Sequence, residues 1–291
     1  MLGSTRREFM GITATLAAAA GTVPEGLKGD GVQDETEAIQ RAIDKGGLLD
    51  LPPGTFRITK PIVFDTARCG YAGIRGPQGT ARIVMAGPGP AVHVIGDHQG
   101  TAFPASVKPH TWDLARFPVL SGFEIVGDHP EADGIALFRT MKPVITNVLV
   151  RRCRYGIHLY ERNRNVIIAD SHLYDNTDSG LFLDHVNLHQ ANIIGNHISY
   201  NARAGIRQLD GDVHNVQITG NDIEYNSGYA DGLTGEIVLE APGDGIISEM
   251  TISSNTIQAV PANPGANIAI VGRYNDFAIG LIAITGNILG S

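Results

Sequence analysis

The sequence predicts an all-β fold of the parallel solenoid class, because one pattern returns at an interval of about 25 residues. Each block holds short segments of alternating apolar residues between Gly, Asn or Asp, which suits strands and turns and leaves no room for a helix. Glycine-led segments recur at Gly156–Tyr160, Gly180–Asp184 and Gly205–Leu209, and asparagines recur at Asn176, Asn201 and Asn226. Stacked blocks of this kind form a solenoid in which each coil contacts only its neighbours.

A second asparagine series supports the stack. Its members, Asn196, Asn221, Asn255 and Asn287, each shortly precede an Ile or Leu. An asparagine amide can bond the amide of the next coil, about 4.8 Å away in a parallel sheet. We therefore expect these four side chains to form one internal ladder.

Composition narrows the function classes. The chain has 291 residues with 36 glycines and 6% aromatic residues, which suits one turn-rich all-β domain. A net charge of −8 argues against general nucleic-acid binding. Two cysteines, Cys69 and Cys153, do not make a disulfide scaffold, and Cys153 reads as a buried small hydrophobe.

Charge is unevenly distributed along the chain. Residues 208–291 carry ten acids and one base, whereas a basic band between residues 139 and 164 has only Glu161 as an acid. The seven bases of this band are Arg139, Lys142, Arg151, Arg152, Arg154, Arg162 and Arg164. The band favours an anionic ligand, or else it is a set of solvated arginines on outer turns.

Residues 1–21 are predicted to be a twin-arginine export signal, followed by one β-helix domain at 22–291. Thr5–Met10 contains the arginine pair, and the apolar run Ile12–Ala20 is too short to span a bilayer. We therefore expect a periplasmic or extracellular protein without membrane insertion.

A single short helix is predicted after the signal. Asp34 is expected as its N-cap with Glu37 three residues later, a capping box. Ile39 and Ile43 share one face, which could cover the open edge of the solenoid.

The same region carries a family resemblance. Gly29-Asp30-Gly31-Val32, then Asp34, Thr36 and Ala38-Ile39-Gln40, and finally Leu51-Pro52-Pro53-Gly54-Thr55-Phe56-Arg57-Ile58 closely resemble the opening of pectate-lyase-superfamily β-helix proteins. That family includes polygalacturonase-like hydrolases, polysaccharide lyases and phage tailspike depolymerases. The resemblance implies a right-handed single-stranded parallel β-helix, a polysaccharide partner, and a monomer or homotrimer. It does not identify the reaction, because such proteins share a scaffold and differ in their sites.

Several segments interrupt the repeat. Residues 61–120 look less regular, and Phe103–Phe117, with His110 and Trp112, looks like a long excursion. Two insertions, Ser227–Gly235 and Ala259–Gly265, are expected to form a wall beside a groove. The last coil stops partway, so either another chain covers that edge or the sequence is truncated.

A candidate site follows from strand alternation. The first and third residues after each glycine should face inward, and the alternate residues should face solvent. The outward or strand-end residues expected to act in catalysis are His158, Tyr160, Asp184, Arg207, Asp210 and Glu240. Those expected to bind substrate are Arg139, Glu161, Phe182, His185 and, in the excursion, Trp112.

Two chemistries fit these residues. In a lyase, Arg207, the basic band or a bound Ca²⁺ could neutralise the sugar carboxylate while His158 or Tyr160 moves a proton. In a hydrolase, Asp184 with Asp210 or Glu240 could flank the scissile bond. A polar outer face without catalysis, as in a glycan-binding or surface-structural module, is the alternative.

Two other motifs carry less weight. Asn176-Thr177-Asp178 resembles a polygalacturonase element, but the partner motifs of those enzymes are absent, so a ladder explains Asn176 better. His172, His197 and Asp222 stack at the repeat interval, and three ligands in a line make a poor metal site. The sequence thus predicts an exported protein that cleaves an acidic polysaccharide, with lyase ranked ahead of hydrolase.

Overall fold

The computed structural model describes residues 24–77, 79–228, 232–260, 265–273 and 278–291. Within these ranges every named strand pairing is parallel, and strands pair with their counterparts in the coils before and after. This arrangement is a parallel β-helix, which confirms the predicted fold class. The described residues contain no helix that is both long and apolar enough to cross a membrane. The predicted export signal lies outside the described residues.

The coils present three faces, each a ladder of parallel strands, and two long strands bend from the first face into the second. The first face contains β4 (Ile62–Asp65), β7 (Gly89–Ile95), β10 (Ala132–Phe138), the starts of β13 (Tyr155–Ala169) and β15 (Ser179–Ile194), β17 (Ala204–Leu209), β20 (Gly235–Ala241) and β23 (Ala266–Gly272). The second face contains β2 (Leu48–Asp50), β5 (Gly73–Arg75), β8 (Val119–Ser121), β11 (Val144–Thr146), the ends of β13 and β15, β18 (Asp212–Thr219), β21 (Ile246–Ser253) and β24 (Ile279–Thr285). The third face contains β1 (Asp30–Asp34), β3 (Gly54–Ile58), β6 (Ala81–Met85), β9 (Phe123–Gly127), β12 (Leu149–Arg151), β14 (His172–Tyr174), β16 (His197–Ser199), β19 (Asp222–Glu224), β22 (Thr256–Gln258) and β25 (Ile288–Gly290).

The helix α1 (Thr36–Gly46) covers the start of the solenoid as predicted, and its apolar face is buried. The predicted capping box with Glu37 is wrong. Strand β1 extends to Asp34, so Glu35 takes the N-cap position, and its side chain makes no capping hydrogen bond. Asp34 instead accepts hydrogen bonds from the N–H and hydroxyl of Thr36, at 3.1 and 2.5 Å.

Residues 61–120 are more regular than the sequence indicated, because β4 to β8 all belong to the coils. The turns between these strands differ in length, which hides the repeat interval. The chain leaves the stack between β7 and β8, in agreement with the predicted excursion. The short helices of this part of the chain are α2 (Thr66–Cys69), the 3₁₀ helix Pro104–Ser106 and α3 (Pro109–Asp113).

Close approach of the coils explains the repeated glycines. A Cβ built on Gly180 would lie 2.7 Å from the Ile198 side chain and 2.8 Å from the carbonyl oxygen of Gly205. A Cβ on Gly205 would meet Ile223 and the amide of Asn226 in the same way, at 2.7 and 2.9 Å. The position therefore accepts no side chain without moving the next coil.

The predicted asparagine ladder is confirmed. Each of Asn196, Asn221 and Asn255 donates its backbone N–H and its side-chain amide to Oδ1 of the next asparagine, at 2.9–3.0 Å, and the series ends at Asn287. The same amides also donate to backbone carbonyls, as Asn221 does to Ile193 at 2.9 Å. Because the first three side chains are at most 2% exposed, these bonds form away from water.

A second ladder ends on a buried acid. Asn176 bonds Asn201, and Asn201 bonds Asn226, through the same paired contacts at 2.7–3.2 Å. Asn226 then donates its N–H and its amide to the carboxyl group of Glu236, at 2.6–3.1 Å. Burial raises the pKa of Glu236 to about 7, although the bonds from Asn226 favour its ionised form.

Replacing Asn221 with leucine should lower the free energy of unfolding by about 1–3 kcal/mol, because buried partners on two coils lose their hydrogen bonds. Urea unfolding would measure the difference. Asn192, on the exposed side of β15, provides a matched control, since Asn192→Leu removes no buried hydrogen bond. Equal stability of both variants would contradict a structural role for the ladder.

Glu236 should make stability depend on pH. Its folded pKa lies above the ordinary value, so the contribution is fully present below about pH 4.5 and is lost as pH rises through about 7. The loss is on the order of 3 kcal/mol for a shift of this size.

Urea unfolding at about pH 5 and about pH 8 tests this dependence. Glu236→Gln keeps an acceptor for Asn226 and should flatten the profile, whereas the exposed control Glu249→Gln should leave it unchanged. A wild-type slope that survives in Glu236→Gln would refute the assignment.

Candidate functional site

Strand pairing brings the predicted residues onto the outside of the first face. His158 of β13 lies opposite Phe182 of β15, which lies opposite Arg207 of β17. Two residues further along the strands, Tyr160 lies opposite Asp184. Side chains that are up to 49 residues apart in sequence thus become neighbours on consecutive strands.

The bend after these strands holds a separate row. Arg139, Glu161, His185 and Asp210 all have left-handed backbone angles, with φ between 46° and 63°. These four were predicted at the strand ends, and they are there. Glu240 was also predicted there, but it lies within β20. It is paired with Leu209, which is paired with Asp184. The shift arises because Gly235 pairs with Ala204 and not with the repeated glycine, Gly205.

Asp184 is the centre of a hydrogen-bonded cluster. Its Oδ2 lies 3.2 Å from Nε2 of His158, and its Oδ1 lies 2.6 Å from Nδ1 of His185. Nε2 of His185 lies 3.8 Å from Oδ2 of Asp210. The bond with His158, followed by the bond with His185, holds the pKa of Asp184 below its usual value despite partial burial. An ionised Asp184 orients both imidazole rings.

A tyrosine–histidine pair lies beside this cluster. The Tyr160 hydroxyl is 2.8 Å from Nε2 of His93, which comes from β7. Burial, followed by the charge of His158, lowers the pKa of His93, and burial raises the pKa of Tyr160. A neutral His93 can accept the phenolic hydrogen, so the pair is suited to holding a proton at the Tyr160 oxygen. The sequence prediction missed His93, because it precedes the region with a clear repeat.

Aromatic rings form a continuous surface around the Asp184 cluster and the Tyr160–His93 pair. The ring of His158 stacks on Phe182 at 5.3 Å and lies 5.1 Å from Tyr155 and 5.0 Å from Tyr160. Phe138 lies 5.2 Å from Tyr160. Tyr155 was also missed, because it precedes the repeated glycine and the alternation argument began at that glycine.

Phe182 was predicted to face solvent, but it does not. It is only 3% exposed, since neighbouring rings and the Arg207 guanidinium, 4.9 Å from its centroid, cover it. Phe182 therefore supports Arg207 and His158 rather than presenting a free surface. The prediction failed because strand alternation gives the direction of a side chain but not what covers it.

The arginines of the site are partly neutralised by acids. Arg207 Nε lies 3.4 Å from Glu240, and Arg139 Nη2 lies 2.7 Å from Glu161. Asp184 and Glu240 lie in one row, two strands apart, a spacing of about 10 Å. Both carboxylates that a hydrolase would need are thus present on the face, along with the arginine that a lyase would need.

The excursion forms its own contacts. The Trp112 indole donates to the carbonyl of Pro104 at 3.4 Å, and Lys142 lies 4.7 Å from its ring. His110 Nδ1 lies 3.0 Å from Asp97. The described contacts of Trp112 therefore do not include the Asp184 cluster with which it was predicted to act.

The remaining predictions concern a metal site and the two insertions that were expected to flank a groove. Among the described residues, no group of three or more His, Cys, Asp or Glu side chains is arranged to hold a metal ion. His172 stacks on His197 at 4.9 Å, and His197 lies 3.5 Å from Asp222, on the third face. The tips of the two predicted insertions, residues 229–231 and 261–264, lie outside the described residues.

Sequence comparison identifies relatives of the same architecture. A family model described as a right-handed β-helix region matches residues 120–257. A second, described as rhamnogalacturonase A/epimerase, pectate lyase-like, matches residues 23–89. The chain is 28% identical over 193 residues to alginate lyase 7 of Azotobacter vinelandii, a match that covers 60% of this chain and 22% of that protein.

Two solved structures share the fold. ORF18 of Geobacillus virus E2 has a TM-score of 0.62 and 18% identity, and the match covers 80% of this chain and 47% of that one. The enzymatically active domain of tailspike protein 4 from bacteriophage CBA120 has a TM-score of 0.59 and 14% identity, with 91% and 35% covered. The chain thus spans less than half the length of each of these three relatives. Together with the strand pattern, the two family models show that the chain has the right-handed parallel β-helix fold and that its start is similar to pectate lyase-like proteins.

Proposed function

We propose that this protein is an exported enzyme that cleaves an acidic polysaccharide by elimination, with its active site on the outside of the first face. The observation that carries the proposal is the Asp184 cluster, in which one ionised carboxylate contacts His158 and His185 beside the Tyr160–His93 pair. The similarity to a protein named alginate lyase supports an acidic polymer as the substrate.

The residues divide the elimination into three tasks. Arg207 faces the sugar carboxylate and offsets its charge, which makes the neighbouring C5 proton more acidic. Asp184 accepts Nε2–H of His158, so that Nδ1 of this ring can take the C5 proton. Tyr160 donates its proton to the leaving oxygen.

Electrons and protons balance in this scheme. The C5–H electron pair forms the C4–C5 double bond as the bond from C4 to the glycosidic oxygen breaks. The proton taken by His158 is later returned to Tyr160 through solvent. No water is consumed, and one product carries an unsaturated uronate at its non-reducing end.

Hydrolysis is the second candidate, because Asp184 and Glu240 are two carboxylates on one face. A non-catalytic glycan-binding or structural module is the third, since a row of aromatic rings flanked by charges also binds sugars without cleaving them. A panel of uronic-acid polymers separates the three. Rising ultraviolet absorbance from an unsaturated product indicates a lyase, new reducing ends without it indicate a hydrolase, and binding alone indicates the module.

Asp184→Asn and Arg207→Ala should each lower turnover on the responsive polymer by about 10²–10³ while the fold is retained, because each removes one charged group of the site. Turnover and circular dichroism would be measured together. Asp212→Asn is the matched control, since Asp212 also bonds a histidine, His214 at 2.6 Å, but on the second face. Full activity of both site variants, with activity lost in His110→Ala, would move the site to the excursion.

Export is tested separately. Replacing Arg6 and Arg7 together with lysine should retain the protein in the cytoplasm, because the twin-arginine pathway distinguishes arginine from lysine at this pair. Fractionation followed by immunoblotting measures the distribution. Unchanged export of the double variant would contradict the proposed route.

The oligomeric state stays a prediction, with a monomer and a homotrimer as the two alternatives. The molar mass measured by light scattering would distinguish them.

A further inference from the structure

A pocket opens where the excursion meets the first face. It has a volume of about 300 Å³ and is lined by His98, Gln99, Arg139, Glu161 and Arg162. Arg139 and Glu161 directly follow Phe138 and Tyr160 in the chain, so the pocket adjoins the aromatic surface. It lies on the coils of β7, β10 and β13, and the last of these is the coil that carries His158.

His98 provides an unused polar group in this pocket. Its side chain is 2% exposed, and its buried Nδ1 has no hydrogen-bond partner within the described part of the chain. Burial, and then the charges of Arg162 and Arg164, lower its pKa to about 4. At neutral pH His98 is therefore uncharged, and it can still donate one hydrogen bond to an anion.

The balance of charge in the pocket is positive. Glu161 bonds Arg139 at 2.7 Å, and it is the acid among the lining residues. Arg162 donates to the carbonyl oxygen of Gly100 at 2.5 Å, a neutral acceptor. Arg164, whose charge acts on His98, is 7% exposed and donates to the carbonyls of Thr101 and Ala102, just before the excursion, at 3.1 and 2.6 Å.

Arg164 is also incompletely satisfied. Its buried Nε has no partner among the described residues, and the contacts that the structure gives its guanidinium are to carbonyls of residues 101 and 102. Uncompensated cationic charge next to a cavity favours an anionic ligand.

We propose that this pocket is a carboxylate subsite, which binds the uronate of a sugar unit one or two positions away from the bond that is cleaved. The inference rests on the proposed function and adds the substrate class of this subsite. A planar carboxylate matches the forked N–H donors of Arg139 and Arg162. Its single negative charge also balances the excess positive charge of the residues that line the pocket. The remote contact would select acidic polymers over neutral ones without taking part in bond breaking.

Isothermal titration calorimetry tests the subsite without relying on turnover. The ligands are uronate oligosaccharides from the responsive polymer and the same oligosaccharides after reduction of their carboxyl groups. The protein carries Asp184→Asn so that the ligand is not consumed. In this background, Arg162→Gln and Arg139→Gln should each weaken binding of the uronate oligosaccharide about tenfold or more. Binding of the reduced oligosaccharide should change less than twofold.

Two variants are used because the Arg162 side chain also donates to the carbonyl of Gly100, so that its loss could change the local structure. The Arg139 side chain bonds Glu161 instead. The matched control is Arg75→Gln, since Arg75 also pairs with a carboxylate of a neighbouring coil, Asp50 at 2.9 Å, but on the second face. It should leave binding unchanged.

The outcomes separate the subsite from the proposed function. If the uronate oligosaccharide binds and the unsubstituted enzyme eliminates it, but both arginine variants bind as well as the control, the subsite is refuted and the proposed function stands. The ratio of the two affinities, for the uronate and for the reduced oligosaccharide, measures selection for charge. If this ratio is the same in both arginine variants as in the control, the charge-selective role is also refuted. If no uronate oligosaccharide binds at all, both proposals fail together.

Discussion

The structure depends on a fixed register between successive coils. Parallel backbone hydrogen bonds hold neighbouring strands about 4.8 Å apart, but they do not by themselves prevent a slip along the strand. The asparagine ladders add that constraint, because each buried Oδ1 accepts two hydrogen bonds from the previous coil and a slip would leave both donors unpaired. Glycines such as Gly180 and Gly205 let the coils approach closely enough for the ladders to form.

The same register assembles the candidate site. No two of His93, His158, Asp184 and Arg207 are close in sequence, yet strand pairing places the last three on consecutive coils of one face and His93 two coils before His158. Their neighbours determine their chemistry. His158 contacts an ionised carboxylate, burial lowers the pKa of His93, and Arg207 lies over a covered ring. A rigid stack suits this role, since sites on strands hold their geometry better than sites on loops.

Sequence reasoning predicted much of this because a repeat carries three-dimensional information. The interval between Gly156, Gly180 and Gly205 placed His158, Phe182 and Arg207 side by side, and the structure agrees. It failed where the interval changes. Glu240 moved by one position because an insertion precedes β20. His93 went unnoticed because turns of variable length hide the repeat before residue 120.

Side-chain contacts were less accessible than strand positions. Alternation predicted that Phe182 points outward, but not that two rings and a guanidinium would cover it. The buried Glu236 was invisible for a similar reason, since only the structure shows that it completes the second ladder in place of an asparagine. The pocket around His98 likewise depends on how the excursion folds back, which no local pattern encodes.

The proposed function requires that an acidic sugar chain lies across the first face with its reacting unit at the Asp184 cluster. A crystal structure of the Asp184→Asn variant with a bound uronate oligosaccharide tests it most directly. We expect a sugar carboxylate within hydrogen-bond distance of Arg207, with C5 of that sugar facing the His158 ring. An oligosaccharide bound instead to the second or third face, or to the excursion around His110, would contradict it.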